Sequence, residues 1–162
     1  MARMQFKSSD EYAIKLSRLG REMEGIAKKA IYEGASIVAD EIKSNLNSIP
    51  TEKFRHLRNG DKFVGVPERH KEDLINSFGI TPIERDRQGN WNTKIGFDGY
   101  GSIPTKRYPQ GVPNQLLARA IESGSSIRVK TPFVRPAVNR TRKKVQQKMN
   151  EVIDKEIEQL MR

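Results

Sequence analysis

From Tyr12 to Leu46, apolar side chains recur at steps of three, four or their sums: Tyr12, Leu16, Leu19, Met23, Ile26, Ala30, Val38, Ile42 and Leu46. Residues so spaced share one face of an α-helix. The spacing predicts one long helix, opened by a capping box in which Ser8 meets the free N–H groups and Glu11 reaches back, and ending near Asn47–Pro50. At ~1.5 Å per residue it is on the order of 55 Å long. A compact domain of this size has a radius of gyration of roughly 15 Å, so the rest of the chain cannot cover such a helix along its whole length. The stripe therefore points to packing between subunits, a need that a bent helix would remove. Gly20, Gly25 and Gly34 each weaken the helix by roughly 1 kcal/mol relative to alanine. They imply either a bend near Gly20 or the close approach of another backbone.

The remaining chain reads as short elements followed by a second long helix. Met4 and Phe6 alternate with polar neighbours, as in a short edge strand. Residues 51–71 carry Lys53, Arg55, His56, Arg58, Lys62, Arg69, His70 and Lys71 around an Asn59-Gly60-Asp61 turn signal, and read as a mobile basic loop. A single helical turn follows over Glu72–Ser77. Phe78 and Ile80 begin a strand, and Trp91, Thr93, Ile95 and Phe97 alternate strictly with polar residues or glycine beyond a turn at Arg85–Asn90. This pair predicts a β-hairpin with one buried face. Residues 98–113, rich in glycine and proline, form a long candidate binding loop. Asn114 can cap a short helix holding Leu116, Leu117, Ala120 and Ile121, which stops at Gly124. After an extended stretch through Ile127, Val129 and Phe133, Pro136 falls in the first turn of a helix running to about Leu160. The expected class is α+β: long N- and C-terminal helices packed with a small antiparallel sheet and a short helix, in a single domain over residues 1–162.

Composition narrows the function. Of the 162 residues, 35% are apolar and 31% charged, which suits an elongated or ring-forming protein with much solvated helix surface. The net charge of +10 favours contact with nucleic acid or an acidic protein surface. The absence of cysteine excludes disulfides, thiol catalysis and Cys-ligated zinc. No stretch approaches ~18 uninterrupted apolar residues and the start lacks an apolar h-region. The expectation is a protein made in the cytoplasm with no membrane partner.

No catalytic constellation stands out. His56 and His70 sit in basic surroundings without a ligand-like neighbour and read as solvated loop histidines, so no metal is expected. Asp98-Gly99-Tyr100-Gly101-Ser102 lacks the lysine and following helix of a phosphate loop. Ser123 to Ser126 has no local base to activate a hydroxyl. Glu122 reads as a helix-end carboxylate that bonds backbone or pairs with Arg119 or Arg135. We expect no enzyme activity and no cofactor.

The strongest charge feature lies between Glu122 and Glu151, where Arg128, Lys130, Arg135, Arg140, Arg142, Lys143, Lys144 and Lys148 occur without an acidic residue. Glu151, Asp154, Glu156 and Glu158 then turn the helix end acidic. This order opposes the helix macrodipole, so local helix stability is not its reason. It fits pairing between subunits, basic half to acidic end, or a solvated face.

A helix ending in Ala118, Ile121, Glu122, Gly124 and Ser125, then Pro132, Phe133, Arg135, Pro136 and Ala137 opening a long charged helix, resembles the tail-completion (neck) proteins of long-tailed bacteriophages. That family of minor tail components is named after gene product ten of a lambda-like phage. The order of the other elements fits as well. One departure is Lys71-Glu72-Asp73, where family members often carry Asp-Thr-Gly, so that region's contacts are not carried over.

The resemblance implies a virion protein forming a homo-oligomeric ring, a hexamer by preference, at the head–tail junction. Its neighbours would be head-closure or connector proteins and tail terminator or tail tube proteins, with genome DNA passing through the channel. It implies interaction roles for Glu122, Gly124, Phe133, Arg135 and Pro136: Phe133 as an apolar anchor, with ordinary intrachain core as the alternative, Arg135 paired with a carboxylate such as Glu122, and the prolines fixing chain direction. The basic residues Arg140, Arg142, Lys143, Lys144 and Lys148 are the further interaction candidates. Alternative readings are a tail terminator of the same junction and a basic nucleic-acid-binding module.

Overall fold

The computed structural model describes residues 10–162, with side chains from residue 14 onward. The expected edge strand at Met4 and Phe6 and the Ser8–Glu11 capping box lie outside what it describes. The architecture is α+β, with two long helices packed on a broken hairpin and two short helices.

Helix α1 (Asp10–Ser48) is continuous through all three glycines. Gly34 is where the second long helix, α4 (Val134–Met161), comes close: a Cβ there would lie 3.0 Å from Met149 Cγ and 3.1 Å from Val145 Cγ1. Gly20 and Gly25 face open space. The two helices run antiparallel, with Arg140 bonded to Glu41 at 2.5 Å near one end and Lys29 paired with Glu156 near the other.

The core gathers at the C-terminal half of α1. Ile42, Leu46 and Ile49 pack with Leu74, Phe97, Leu117, Ile121, Phe133 and Ala137. Leu74 comes from α2 (Glu68–Ser77), which begins four residues earlier than the expected single turn because Pro67 pre-sets its start. Lys71 on α2 donates to Asn47 O (2.6 Å) and Ile49 O (2.8 Å), satisfying carbonyls left free at the end of α1. The Lys71-Glu72-Asp73 triplet is thus a brace: Asp73 also accepts from Ser102 N (2.8 Å) and its hydroxyl (3.0 Å), holding the start of the glycine-rich loop.

The hairpin forms as predicted but in two pieces. Strand β1 (Phe78–Ile80) pairs antiparallel with β4 (Ile95–Phe97), and β2 (Glu84–Arg85) with β3 (Trp91–Asn92). One extra residue on the first strand, in the stretch holding Pro82, separates the two registers. Proline cannot donate to the ladder, and the chain bulges there. Helix α3 (Asn114–Ser123) starts one residue earlier than expected, with Asn114 as its first residue and not its cap. Pro113 takes the cap position, and the Asn114 amide instead donates to Asp98 O at 2.8 Å, closing the 98–113 loop.

The stretch expected to be a mobile basic loop is stitched to the body. Glu52 Oε2 accepts from Val64 N and Gly65 N, both at 2.8 Å, and Phe63 and Val66 are buried. The Phe63 backbone pairs with Ile127 O and Val129 N, each at 2.9 Å.

Candidate functional site

The segment Ile121–Ala137 joins α3 to α4, and its sequence dictates how. Glu122 projects from the last turn of α3 toward the start of α4, which has no capping side chain of its own. Its carboxylate accepts from Phe133 N at 2.7 Å, Val134 N at 2.9 Å and Arg135 N at 3.0 Å. These are among the N–H groups that a helix cannot satisfy internally, and a negative charge there also opposes the positive end of the macrodipole. Partial burial works to raise the Glu122 pKa, but the three backbone donors and the Arg135 charge outweigh it, holding the carboxyl below its ordinary value. The Arg135 contact is therefore made by its backbone; among the described residues the two side chains form no ion pair.

Gly124 ends α3 at φ 77°, and a Cβ there would lie 3.0 Å from Lys130 N. The chain then reverses between Ser125 and Arg128 and returns to Ile121 through Thr131 N, which donates to Ile121 O at 2.9 Å. Phe133 is only 1% exposed, edge-on to Phe97 at 6.0 Å between ring centres. Its carbonyl accepts from Asn45 of α1 at 3.0 Å. The anchor role implied by resemblance is thus corrected: Phe133 anchors the chain's own core and offers no surface to a partner. Pro136 lies half-buried in the first turn of α4, as expected.

The basic residues separate into spent and available groups. Arg128 faces inward, 6% exposed, donating to Gly65 O and lying 5.9 Å over the Phe63 ring. Alternation of the extended chain accounts for this, since Ile127 and Val129 on either side point outward. Arg140 is engaged with Glu41, and at the acidic end Glu156 with Lys29. Part of the helix's charge polarity is therefore used within the chain, against α1. Arg142, Lys143 and Lys144 are exposed and Lys148 half-buried, and among the described residues none has an ion pair.

Between the hairpin, α3 and the start of α4 lies an open groove of about 1030 Å³. Ile80, Ile95 and Phe97 supply apolar lining, and Lys94, Arg119 and Arg135 supply positive charge.

His70 departs from the solvated reading. It is 5% exposed on the face of α2 that carries Leu74, with its ring edge-on to Phe54 at 5.4 Å. Neither ring nitrogen has a hydrogen-bond partner. Burial lowers its pKa, nearby Asp73 raises it and Arg128 lowers it, for a net shift below the ordinary value. The His70–Leu74 spacing carried the signal, hidden because the helix was read as starting after His70. Among the described residues no three histidine or carboxylate side chains cluster as a metal site would require. No helix there is long and apolar enough to cross a membrane.

The chain matches no protein-family model, no curated protein and no solved structure. The functional reading rests on the pattern of residues 118–137 and on the geometry above.

Proposed function

We propose that this protein is a structural component of the head–tail junction of a long-tailed bacteriophage, or of a particle derived from one. It acts as a ring-forming tail-completion protein with no chemical step. The observation that supports this best is the construction of the connector. The motif residues Glu122, Gly124, Phe133 and Pro136 form one cross-braced joint, which fixes how α4 leaves the domain and presents Arg142, Lys143 and Lys144 outward. Such a joint suits a part whose task is to hold surfaces at a set angle in an assembly.

The test is genetic and visual. Deleting the gene should leave heads and tails separate in micrographs, and the added protein should restore joining. In the intact particle the protein should appear at the neck. Joined, infectious particles at normal yield without it would overturn the proposal. Reversal of exposed charge, as in Arg142→Glu with Lys143→Glu, should weaken joining while leaving the isolated protein folded.

A nucleic-acid-binding module is the second reading, favoured by the same unpaired basic face. It requires retention on duplex DNA with affinity falling steeply as salt rises. Loss of that retention in the charge-reversed protein, with joining intact, would favour it.

A further inference from the structure

The apolar stripe of α1 outlasts the helix that covers it. Lys29 sits beside Glu156, and α4 continues only five residues further, to Met161, so it ends level with about Glu24 of α1. Leu16 (47% exposed), half-buried Leu19 and Met23 (48% exposed) continue the face that α4 covers at Ile26 and Ala30, but beyond its end. The overhang is roughly 20 Å long.

We propose that this end of α1 is a self-association site that takes the same segment of a second copy, packed antiparallel as a short coiled coil. The spacing Tyr12, Leu16, Leu19, Met23 runs four, three, four, and is therefore the same read in either direction. A two-fold axis between Leu16 and Leu19 lays Leu16 of one copy on Leu19 of the other, and position 12 opposite Met23. The same register brings residue 10 opposite Gly25 of the second copy, close to where that copy's α4 stops. One helix end thus fills the space that the other leaves.

The flanks agree with this pairing. Lys15 and Glu22 lie seven residues apart on one flank of the stripe, and the antiparallel register sets Lys15 of each copy against Glu22 of the other. On the opposite flank stand Ala13 and Gly20; a Cβ on Gly20 would meet nothing within 4 Å, so a second helix can approach closely there. A two-fold contact closes at two copies, so ring closure would use a different surface. The inference stands on the helix geometry and does not depend on the virion reading.

Sedimentation velocity of the full chain, from micromolar to submillimolar concentration, tests it. The stripe is short, which places the contact at the small end of interfaces, roughly below 1,200 Å². Dimer should therefore grow with concentration. Leu16→Glu should abolish it with an unchanged melting curve. Lys15→Glu sets two carboxylate pairs face to face and should weaken the dimer roughly four- to thirtyfold; adding Glu22→Lys should restore it. The chain has no cysteine, so mixing Leu16→Cys with Leu19→Cys protein should give the mixed disulfide in preference to either like pair. A monomer at every concentration overturns the proposal, and so does failure of the charge swap to restore pairing or a dimer indifferent to Leu16→Glu. A monomer would leave the head–tail reading to its own test in particles.

Discussion

Glu122→Ala is the sharpest perturbation of the connector. It removes the acceptor of three backbone hydrogen bonds, at 2.7, 2.9 and 3.0 Å, and leaves the N–H groups of Phe133 and Val134 part-buried without a partner. Loss of a helix cap destabilises by typically ~1 kcal/mol, and hydrogen bonds to a charged group contribute about 1.5–3 kcal/mol. These overlap, because the same oxygens serve both purposes, so the combined loss is about 2–3 kcal/mol. For a chain of this size that corresponds to a melting temperature lower by roughly 5–10 °C.

Urea unfolding at neutral pH should show a lower midpoint with an unchanged slope. The pH dependence supplies a second signature. Because the folded-state pKa lies below the ordinary 4.5, the contribution of Glu122 is present above that value and is lost as pH falls through the folded pKa. The gap between wild type and Glu122→Ala should therefore be widest near neutrality and shrink in acid. A variant within about 0.5 kcal/mol of wild type at pH 7, or a gap that stays constant into acid, would refute the argument that this carboxylate holds the start of α4.

Two further outcomes follow from burial. Phe133→Ala should destabilise by about 3–5 kcal/mol, visible as a collapse of cooperative melting in circular dichroism. Survival of a wild-type melt would return Phe133 to the list of partner contacts. His70 titrates in the opposite sense to a surface-paired histidine. Its folded pKa lies below 6.5, so the neutral, buried ring supports the fold above that value, and stability falls as pH drops from there through the folded pKa. Asp73, which favours the charged ring, limits the effect, whereas Arg128 reinforces it. His70→Phe should flatten this part of the stability profile in melts between neutral and mildly acid pH, and an unchanged slope would mean that His70 protonates at no cost to the fold.

Elements defined by local periodicity were legible in advance. The long first helix, the Gly124 stop, Pro136 in the first turn of the last helix and the hairpin around the Arg85–Asn90 turn all follow from spacing and from residues with one conformational use. Glu122 was narrowed to bonding backbone or an arginine, but the choice among partners depends on where the first turn of α4 lies in space. The burial of Arg128 was not legible, and that of His70 showed only in its four-residue spacing from Leu74. Both sit in basic sequence, and their surroundings come from residues far along the chain: Phe54 and Phe63 close over them only because residues 63 and 127–129 pair. A hydrogen bond across 63 residues leaves no local pattern.

The same division runs through the whole molecule. Sequence alone determined the apolar face of α1, since 3.6-residue periodicity is a property of the helix itself, but left a bend or break near Gly20 open; the structure makes it one continuous helix. For an unbroken helix the sequence also determined that so long a stripe exceeds what the chain can cover. Only the tertiary structure decided where the cover ends, because the antiparallel alignment of α4 is set by side chains meeting across the interface: Arg140 with Glu41, Val145 and Met149 on Gly34, and Glu156 with Lys29. That alignment turns a general surplus of apolar face into a specific segment, Leu16, Leu19 and Met23, that lies beyond the end of α4.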